Sequence, residues 1–592
     1  KAEYKRLLSQ GYKKENRYFL VKKKVTFDMY QQLKTFPLIR LGRYKSGFIA
    51  EADSIRLNPY GELAKRTIGL DRANAQKVGL EQTYDTLLSG VKGQRLVRYI
   101  AGGAMMPVSD AYITEPENGK DIITTIDTRI QEVAEKALYN MVTGNEAEHG
   151  CAIVMEVKTG AIKAIANIGK NMQTGVYSED YNYAVIPSEP GSTFKLATML
   201  SVLEDKKYST TSIVNLEYGK WQVNRNTVFD SEPHGRTDVT VKKAFELSSN
   251  VGMAKLAYNS YASNPMQFIN HLHNLGLDST TGIDLFGEKK PLMYKPGSPH
   301  WSAISLPWMA FGYGILVTPM HTAMLYNAVA NNGKMMKPYL MQTVEQDGII
   351  LKQVVPTITN EKICNAETLK QLQFCLKGVC NDSPATAFRL FKGTPYKVAG
   401  KTGTALVANG ARGYADHIYQ SSFAGYFPAD NPQYTIVVVI KNKAHAAVYY
   451  GASVAGPVFK EISDRLYAMG ADADMKYTNI KRNDSFSYVY NGMVADIQQV
   501  IRNTGILYKD STLKKTQWAS LIKKNGNPVI ETVSPGTKDM PLLSGLSLKD
   551  AVYICENIGL KVTPRGKGRV VQQSVSPGQA IVKGQIVSIT LN

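Results

Sequence analysis

Apolar positions change period several times along this chain, and each change marks an element. A β-rich run, Asp121-Ile122-Ile123-Thr124-Thr125-Ile126-Asp127, gives way to apolar residues at Ile130, Val133, Ala134 and Leu138. That three-to-four spacing predicts an amphipathic helix. Residues 151–157 and 161–166 are nearly unbroken apolar runs on either side of Lys158-Thr159-Gly160. They predict two strands around a tight glycine turn. Pro190-Gly191 opens an apolar stretch over 193–203 that predicts a helix. Residues 396–407 and 434–440 predict further strands, the second β-branched throughout, as in a strand covered on both faces. Residues 120–466 therefore read as a mixed α/β domain, with helices on a mainly antiparallel sheet.

The flanks have a different character. Residues 1–115 mix charged, aromatic and turn-forming stretches, among them Arg56-Leu57-Asn58-Pro59-Tyr60-Gly61-Glu62-Leu63-Ala64 and Gly79-Leu80-Glu81-Gln82-Thr83-Tyr84-Asp85. They read as an extended, non-catalytic module, bounded near 115–120 by a polar stretch with Pro116 and Gly119. Residues 470–538 are polar and tyrosine-bearing, with one helical pattern near 494–501, and read as a connector. Residues 540–592 read as a compact module: a turn at Ser544-Gly545, a helix over 547–558, and strands near 570–575 and 586–591. Ser576-Pro577-Gly578 and Lys583-Gly584 supply the turns. The expected fold class is multidomain α+β.

Composition narrows the function. A chain of 592 residues exceeds a single core and predicts three or four domains. The net charge of +20 is uneven, with 13 basic against 3 acidic residues in the first 45. No nucleic-acid motif accompanies it, so a solvated basic stalk is the reading and no nucleic-acid partner is expected. Five scattered cysteines, Cys151, Cys364, Cys375, Cys380 and Cys555, have no zinc spacing and default to buried free thiols. A bridge from Cys364 to Cys375 or Cys380 is the alternative. No H-E-x-x-H string occurs, and His271 and His273, two apart in a helical pattern, face different ways. No run of 18 apolar residues occurs.

Three short strings carry chemistry. Ser192-Thr193-Phe194-Lys195 reads S-x-x-K, Ser248-Ser249-Asn250 reads S-x-N, and Lys401-Thr402-Gly403-Thr404 reads K-T-G-T. Each has an ordinary structural reading: a capped helix start, a polar helix end, a glycine-kinked edge strand. Their order and joint occurrence point instead to a serine activated by lysine. Ser192 and Lys195 share one helix face. The hydroxyl needs a neighbour to take its proton, and a lysine serves only if burial or a second cation lowers its pKa. Lys401 is the second cation. The Ser248 hydroxyl can pass a proton between Lys195 and a leaving nitrogen, and the Asn250 amide suits a substrate amide. Lys401, Thr402 and Thr404 suit a terminal carboxylate. Gly403 would let a substrate backbone approach the strand. The N–H groups of Thr404 and Ser192 would form an oxyanion hole.

These strings, with Glu189-Pro190-Gly191 before Ser192, resemble class B penicillin-binding proteins, the peptidoglycan D,D-transpeptidases. Gly312-Tyr313-Gly314-Ile315 with Val317-Thr318-Pro319, Phe423-Ala424-Gly425-Tyr426-Phe427-Pro428 and Ala455-Gly456-Pro457-Val458-Phe459 extend the resemblance over about residues 50–466. The C-terminal stretch resembles one PASTA domain through Gly545, Ala551, Gly559-Leu560, Val575, Pro577, Gly578 and Gly584. The resemblance implies a penicillin-binding transpeptidase domain, with an antiparallel sheet flanked by helices, on an N-terminal pedestal module. It implies that Ser192 attacks a stem peptide ending in D-Ala-D-Ala, and that an acceptor amine resolves the acyl-enzyme into a cross-link. β-Lactam antibiotics would acylate the same serine, and neither a metal nor an organic cofactor would be needed. A C-terminal PASTA domain points to a division-type enzyme, with elongation and sporulation types open. A membrane glycosyltransferase and division-complex proteins are the implied partners.

The family's membrane helix and its R-G-x-I-x-D-R-x-G string are not found here. The expectation is an inner-membrane protein with a periplasmic (extracytoplasmic) catalytic domain, whose anchor lies outside this chain. A D,D-carboxypeptidase or β-lactamase-type hydrolase is the alternative, although no E-x-x-L-N string lies between Asn250 and Lys401. A non-catalytic β-lactam sensor or wall-binding protein is the third reading.

Overall fold

The computed structural model describes residues 2–15, 19–23, 25–50, 58–71, 75–94, 96–99, 105–108, 113–115, 117–232, 235–408, 413–471, 490–504, 518–524, 527–532 and 538–592. Arg56 and Leu57, Pro116 and much of the expected connector lie outside them. The chain divides into two compact units, Lys1–Ala473 and Asp474–Asn592.

A six-stranded sheet forms the centre of the first unit. Its strands are β1 (His149–Glu156), β2 (Ile162–Lys170), β3 (Tyr177–Ser178), β4 (Ala399–Val407), β5 (Ile418–Phe427) and β6 (Tyr434–Lys441), in the order β4-β5-β6-β1-β2-β3. Every neighbouring pair is antiparallel. Consecutive positions along β1, β5 and most of β6 are buried, so both sheet faces are covered, as the β-branched run of β6 foretold. The Lys158-Thr159-Gly160 turn joins β1 to β2, with Gly160 at φ 81°, a left-handed conformation that favours glycine.

The helices are α1 (Thr128–Gly144), α2 (Lys195–Glu204), α3 (Asn250–Tyr261), α4 (Pro319–Ala330), α5 (Ala366–Asn381) and α6 (Ala455–Ala471). Asp127 caps α1 by accepting from the Arg129 N–H, so the sequence boundary is a capping event. Thr318 and His321 form a capping box at α4, with Pro319 in the first turn. Helices α1 and α6 pack on the sheet and on each other, whereas α4 packs against β1, β5 and β6.

The β-rich run before α1 does form a strand, Asp121–Thr124, but outside the central sheet. It pairs with Met341–Gln346, which pairs in turn with Ile349–Gln353. A partner over 200 residues away in sequence cannot be read from local pattern.

The described parts of residues 1–115 are short helices and one strand pair, Val97–Tyr99 with Met105–Pro107. They are tied into the same compact unit. The Arg66 N–H donates to Glu179 Oε2 at 2.8 Å, Tyr84 OH donates to Asp284 Oδ2 at 2.6 Å, and the Lys120 N–H donates to Leu87 O at 2.8 Å. Burial pushes the Glu179 carboxyl up to about 8. All five cysteines are free and buried, so no bridge joins Cys364 to Cys375 or Cys380.

In the second unit, the expected connector carries structure of its own. Tyr490–Met493, Trp518–Lys524 and Asn527–Thr532 form an antiparallel sheet beside the helix Val494–Thr504. Val494, Ile497, Ile501, Ala519 and Ile530 make its core. Only the helix was legible, because Tyr490–Met493 is short and Trp518–Lys524 and Asn527–Thr532 mix apolar with charged and turn-forming residues without a clean alternation. The C-terminal module sets the helix Leu548–Asn557 beside Lys561–Gly566, Ile586–Leu591 and Val570–Gln573, over a core that includes Leu543, Ala551, Cys555 and Val587. Lys561–Gly566 was not expected as a strand. It carries Pro564 and is mostly exposed, and an edge strand tolerates both. Among the described residues, no helix is long and apolar enough to cross a membrane.

Candidate active site

Ser192 lies in a 3₁₀ turn, Gly191–Phe194, that runs directly into α2. The turn is built by close backbone contact. Gly191 has φ 54°, its N–H donates to Gly312 O at 3.1 Å, and a Cβ on Gly312 would strike Gly191 O. Thr193 Oγ1 donates to Pro190 O at 2.8 Å, and Tyr326 OH donates to Thr193 O at 2.9 Å. Ser192 is 8% exposed, so its hydroxyl is held at the surface of a rigid wall. At the start of α2 it also stands where backbone N–H groups make the field positive.

One turn on, Lys195 is fully buried. Its Nζ donates to Ser248 O at 2.5 Å, Asn250 Oδ1 at 2.7 Å and Ser248 Oγ at 3.2 Å. Among the described residues, no hydrogen bond joins it to Ser192 Oγ. Lys195 thus rests on the second string, and apo geometry of this kind often tightens only with substrate. Lys401, also fully buried, donates to the same Ser248 Oγ at 2.7 Å and to Thr402 O at 3.0 Å. Ser248 Oγ thus bridges the two lysines.

Burial lowers Lys195 to about 7, against the pull of Asp230. Burial also holds Lys401 well below its ordinary value, and the neighbouring Lys195 charge adds to it. Two ammonium groups on one hydroxyl would repel, so the Lys195 charge disfavours a second charge on Lys401.

Ser248 sits between the short helix Val241–Glu246 and α3, at φ 57°. A non-glycine residue held there is strained, and the neighbours fix it. Ser249 caps α3 through the Gly252 N–H at 2.9 Å and donates to Asp230 Oδ2 at 2.8 Å. The Val251 N–H donates to Asp230 Oδ1 at 2.9 Å, and Asn250 Nδ2 donates to Phe229 O at 2.8 Å. Behind them Glu246, buried, pairs with Lys242 and Lys243.

The third string occupies β4, the edge strand of the sheet. Period-two alternation separates its residues into two sets. Gly403 meets the nucleophile turn: a Cβ there would run into Ser422 Oγ and come within 3.2 Å of Thr193 Cγ2. The space on the Cβ side of Gly403 is filled by the protein itself. The two threonine hydroxyls also differ. Thr402 Oγ1 donates to Thr386 Oγ1 at 2.9 Å, which commits its proton. Thr404 Oγ1 accepts from the Gly451 N–H at 3.0 Å, a contact that does not use its own proton.

Sequence reasoning missed Asp230 and Thr386. Both approach the strings only in three dimensions, and neither stands in a local pattern that marks it. Glu189, quoted only as part of the nucleophile segment, accepts from the Gly314 N–H at 3.0 Å.

Comparison with known proteins gives a consistent pattern. A family described as the penicillin binding protein transpeptidase domain matches residues 150–464, and the PASTA domain matches 538–592. The chain is 28% identical to the peptidoglycan D,D-transpeptidase FtsI of Escherichia coli K12 over 454 residues, 76% of this chain and 72% of that one. It is 25% identical to stage V sporulation protein D of Bacillus subtilis over 586 residues, 96% of this chain and 79% of that one. Among solved structures, penicillin binding protein 3 from Mycobacterium tuberculosis is similar at TM-score 0.59 and 27% identity, over 70% of this chain and 91% of that one. That protein has also been solved in complex with aztreonam.

Proposed function

The chain belongs to the penicillin-binding protein transpeptidase family, and within that family's reaction we propose that Ser192 is the acylated nucleophile and Lys195 its base. The protein is a peptidoglycan D,D-transpeptidase of the division type, with a C-terminal PASTA domain. The observation that carries the assignment is the Lys195–Ser248–Lys401 chain beneath the start of α2.

With Lys195 near 7, a large share of the amine is neutral at physiological pH and can accept the Ser192 proton. Ser192 Oγ then bonds to the carbonyl carbon between the two D-alanines. As the C–N bond breaks, Lys195 returns the proton through Ser248 Oγ to the leaving amine, and D-Ala departs. In the second half-reaction the acceptor amine attacks the acyl ester, its proton passes back along the same chain, and Ser192 is released. The cross-link forms with no net change in bond types, so nothing beyond these side chains is consumed.

Thr404 and Lys401 receive the donor's terminal carboxylate, and Asn250 Oδ1 or its amide holds the peptide N–H or C=O. The N–H groups of Ser192 and Thr404 take the oxyanion. A β-lactam presents the same carboxylate and a strained amide, so it acylates Ser192. Residues 1–115 serve as a pedestal for the catalytic domain and 538–592 as a separately folded module. The working location is extracytoplasmic at the inner membrane, beside a glycosyltransferase that polymerises the strands and the proteins of the division complex. The name of the E. coli relative supports the division role.

Intact-mass analysis after benzylpenicillin, with mapping of the modified peptide, tests the reading. One adduct is expected, on Ser192, and Ser192→Ala should lose it while melting like the parent. An adduct that persists in the variant overturns the assignment.

A further inference from the structure

The strand Asn226–Phe229 ends on a carboxylate, Asp230, that belongs to none of the three strings. Its backbone is fixed, because the Asp230 N–H donates to Gly219 O at 2.9 Å. Its side chain accepts from Ser249 Oγ at 2.8 and 3.0 Å and from the Val251 N–H at 2.9 Å. The preceding carbonyl, Phe229 O, takes Asn250 Nδ2 at 2.8 Å. One corner of this hairpin therefore grips three consecutive residues, Ser249, Asn250 and Val251. The residue just before them, Ser248, is the one held at φ 57°. Ser248 and Asn250 supply all three of the hydrogen bonds that hold Lys195 Nζ.

The charge matters as much as the bonds. Lys195 and Lys401 share one hydroxyl in a fully buried place, where a positive charge is costly without an anion near it. The groups that face the pair are few. Ser248 and Asn250 come from the loop, Asp230 from the hairpin, Cys380 from α5, and the Phe245 ring, 5.7 Å from Lys401 Nζ, from the short helix. Of these, Asp230 is the carboxylate whose field reaches Lys195, and it pulls against burial.

We infer that Asp230 is a positioning residue for acyl transfer: it fixes the Ser248–Asn250 loop through Ser249 and the Val251 N–H, and it supplies the negative charge that partners the buried lysine pair. This rests on the assignment of Ser192 and Lys195 above. The two roles have separate signatures. Loss of the grip lets Ser248 and Asn250 drift from Lys195 and slows acylation at every pH. Loss of the charge makes the protonated amine less stable, so Lys195 gives up its proton at lower pH.

The experiment is the second-order acylation rate by benzylpenicillin from pH 5 to 10 in the whole chain and three variants, each checked by thermal melt. Asp230→Asn keeps acceptor and donor atoms for Ser249 but removes the charge. Its acid limb should move to lower pH by more than about 0.3 unit, a twofold change in the neutral fraction. Ser249→Ala keeps the charge and loosens the grip, so it should slow acylation and leave the limb in place. Asp230→Ala removes both and should slow acylation by ~tenfold or more, with the limb displaced. An Asp230→Asn limb that coincides with the parent's overturns the electrostatic role. Parent-like rates in folded Asp230→Ala overturn the positioning role. A parent protein that takes no adduct on Ser192 sinks the underlying assignment instead, so the two failures are distinguishable.

Discussion

At the scale of single residues, the proposed chemistry needs a lysine that behaves as a base. An exposed lysine is protonated up to about pH 10.4 and cannot accept from serine. Burial without enough anionic compensation brings Lys195 to about 7. The sign of the pH dependence follows. Below about 7 the amine is protonated and idle, so acylation should rise with pH through that value and then level off. Lys195→Ala should lower the acylation rate by ~10²–10⁴-fold. Lys401→Ala removes the group proposed to meet the donor carboxylate, so acylation should slow at every pH, while the acid limb should stay within about 0.3 unit of the parent's, because the Lys195 charge bears on Lys401 and not the reverse. The same pH-rate profiles check both lysine variants, and a folded Lys401→Ala protein that acylates at the parent rate contradicts that role. Lys195 and Lys401 were legible as types at a spacing. Asp230 was not, because its sequence neighbours say nothing about what stands across from it.

Elements supply the rigidity that the residues need. The nucleophile turn presses on β4, and Gly403 is where the two surfaces meet. Gly403→Ala should therefore act on both. Forcing a methyl group against Ser422 and Thr193 should destabilise the protein by about 1–3 kcal/mol and slow acylation, read by denaturant unfolding and by penicillin labelling. A folded Gly403→Ala protein that labels at the parent rate would show that the turn has slack. Strong apolar runs made β1, β2, β6 and α1 legible, since a buried strand or helix face needs little beyond its own pattern. The strand Asp121–Thr124 was legible as a strand but not as a partner of Met341–Gln346. Lys561–Gly566, polar and carrying a proline, was missed, because parallel pairing with Ile586–Leu591 overrides its weak propensity.

The whole molecule is two compact units, and the chemistry lies in the first. All the site residues fall between Glu189 and Gly451, and the last helix on the sheet, α6, ends at Ala471. A chain ending at Ala473 should therefore acylate within about tenfold of the full chain, a change of roughly 1.4 kcal/mol in barrier. Circular dichroism and penicillin labelling check this. A folded truncation that labels more slowly than that would place part of the second unit in the site. The second unit has its own cores to fold around, one of Val494, Ile497 and Ile530, another of Leu543, Ala551 and Val587.

By itself, the sequence determined the chemistry and the local elements. S-x-x-K, S-x-N and K-T-G-T name residue types that act at short range, and apolar runs report burial through free energy that depends on the segment alone. Tertiary structure decided what those types do to one another. It set Lys195 and Lys401 on one hydroxyl, placed Asp230 behind Ser249, committed Thr402 to Thr386 while leaving Thr404 free, and gave Gly403 to the protein's own packing. It also joined the described parts of residues 1–115 to the catalytic domain in one compact unit. The physical reason is range. Propensity and patterning are sums over neighbours in sequence, whereas pKa values, close contacts and hydrogen-bond commitments are fixed by neighbours in space, which only the folded chain brings together.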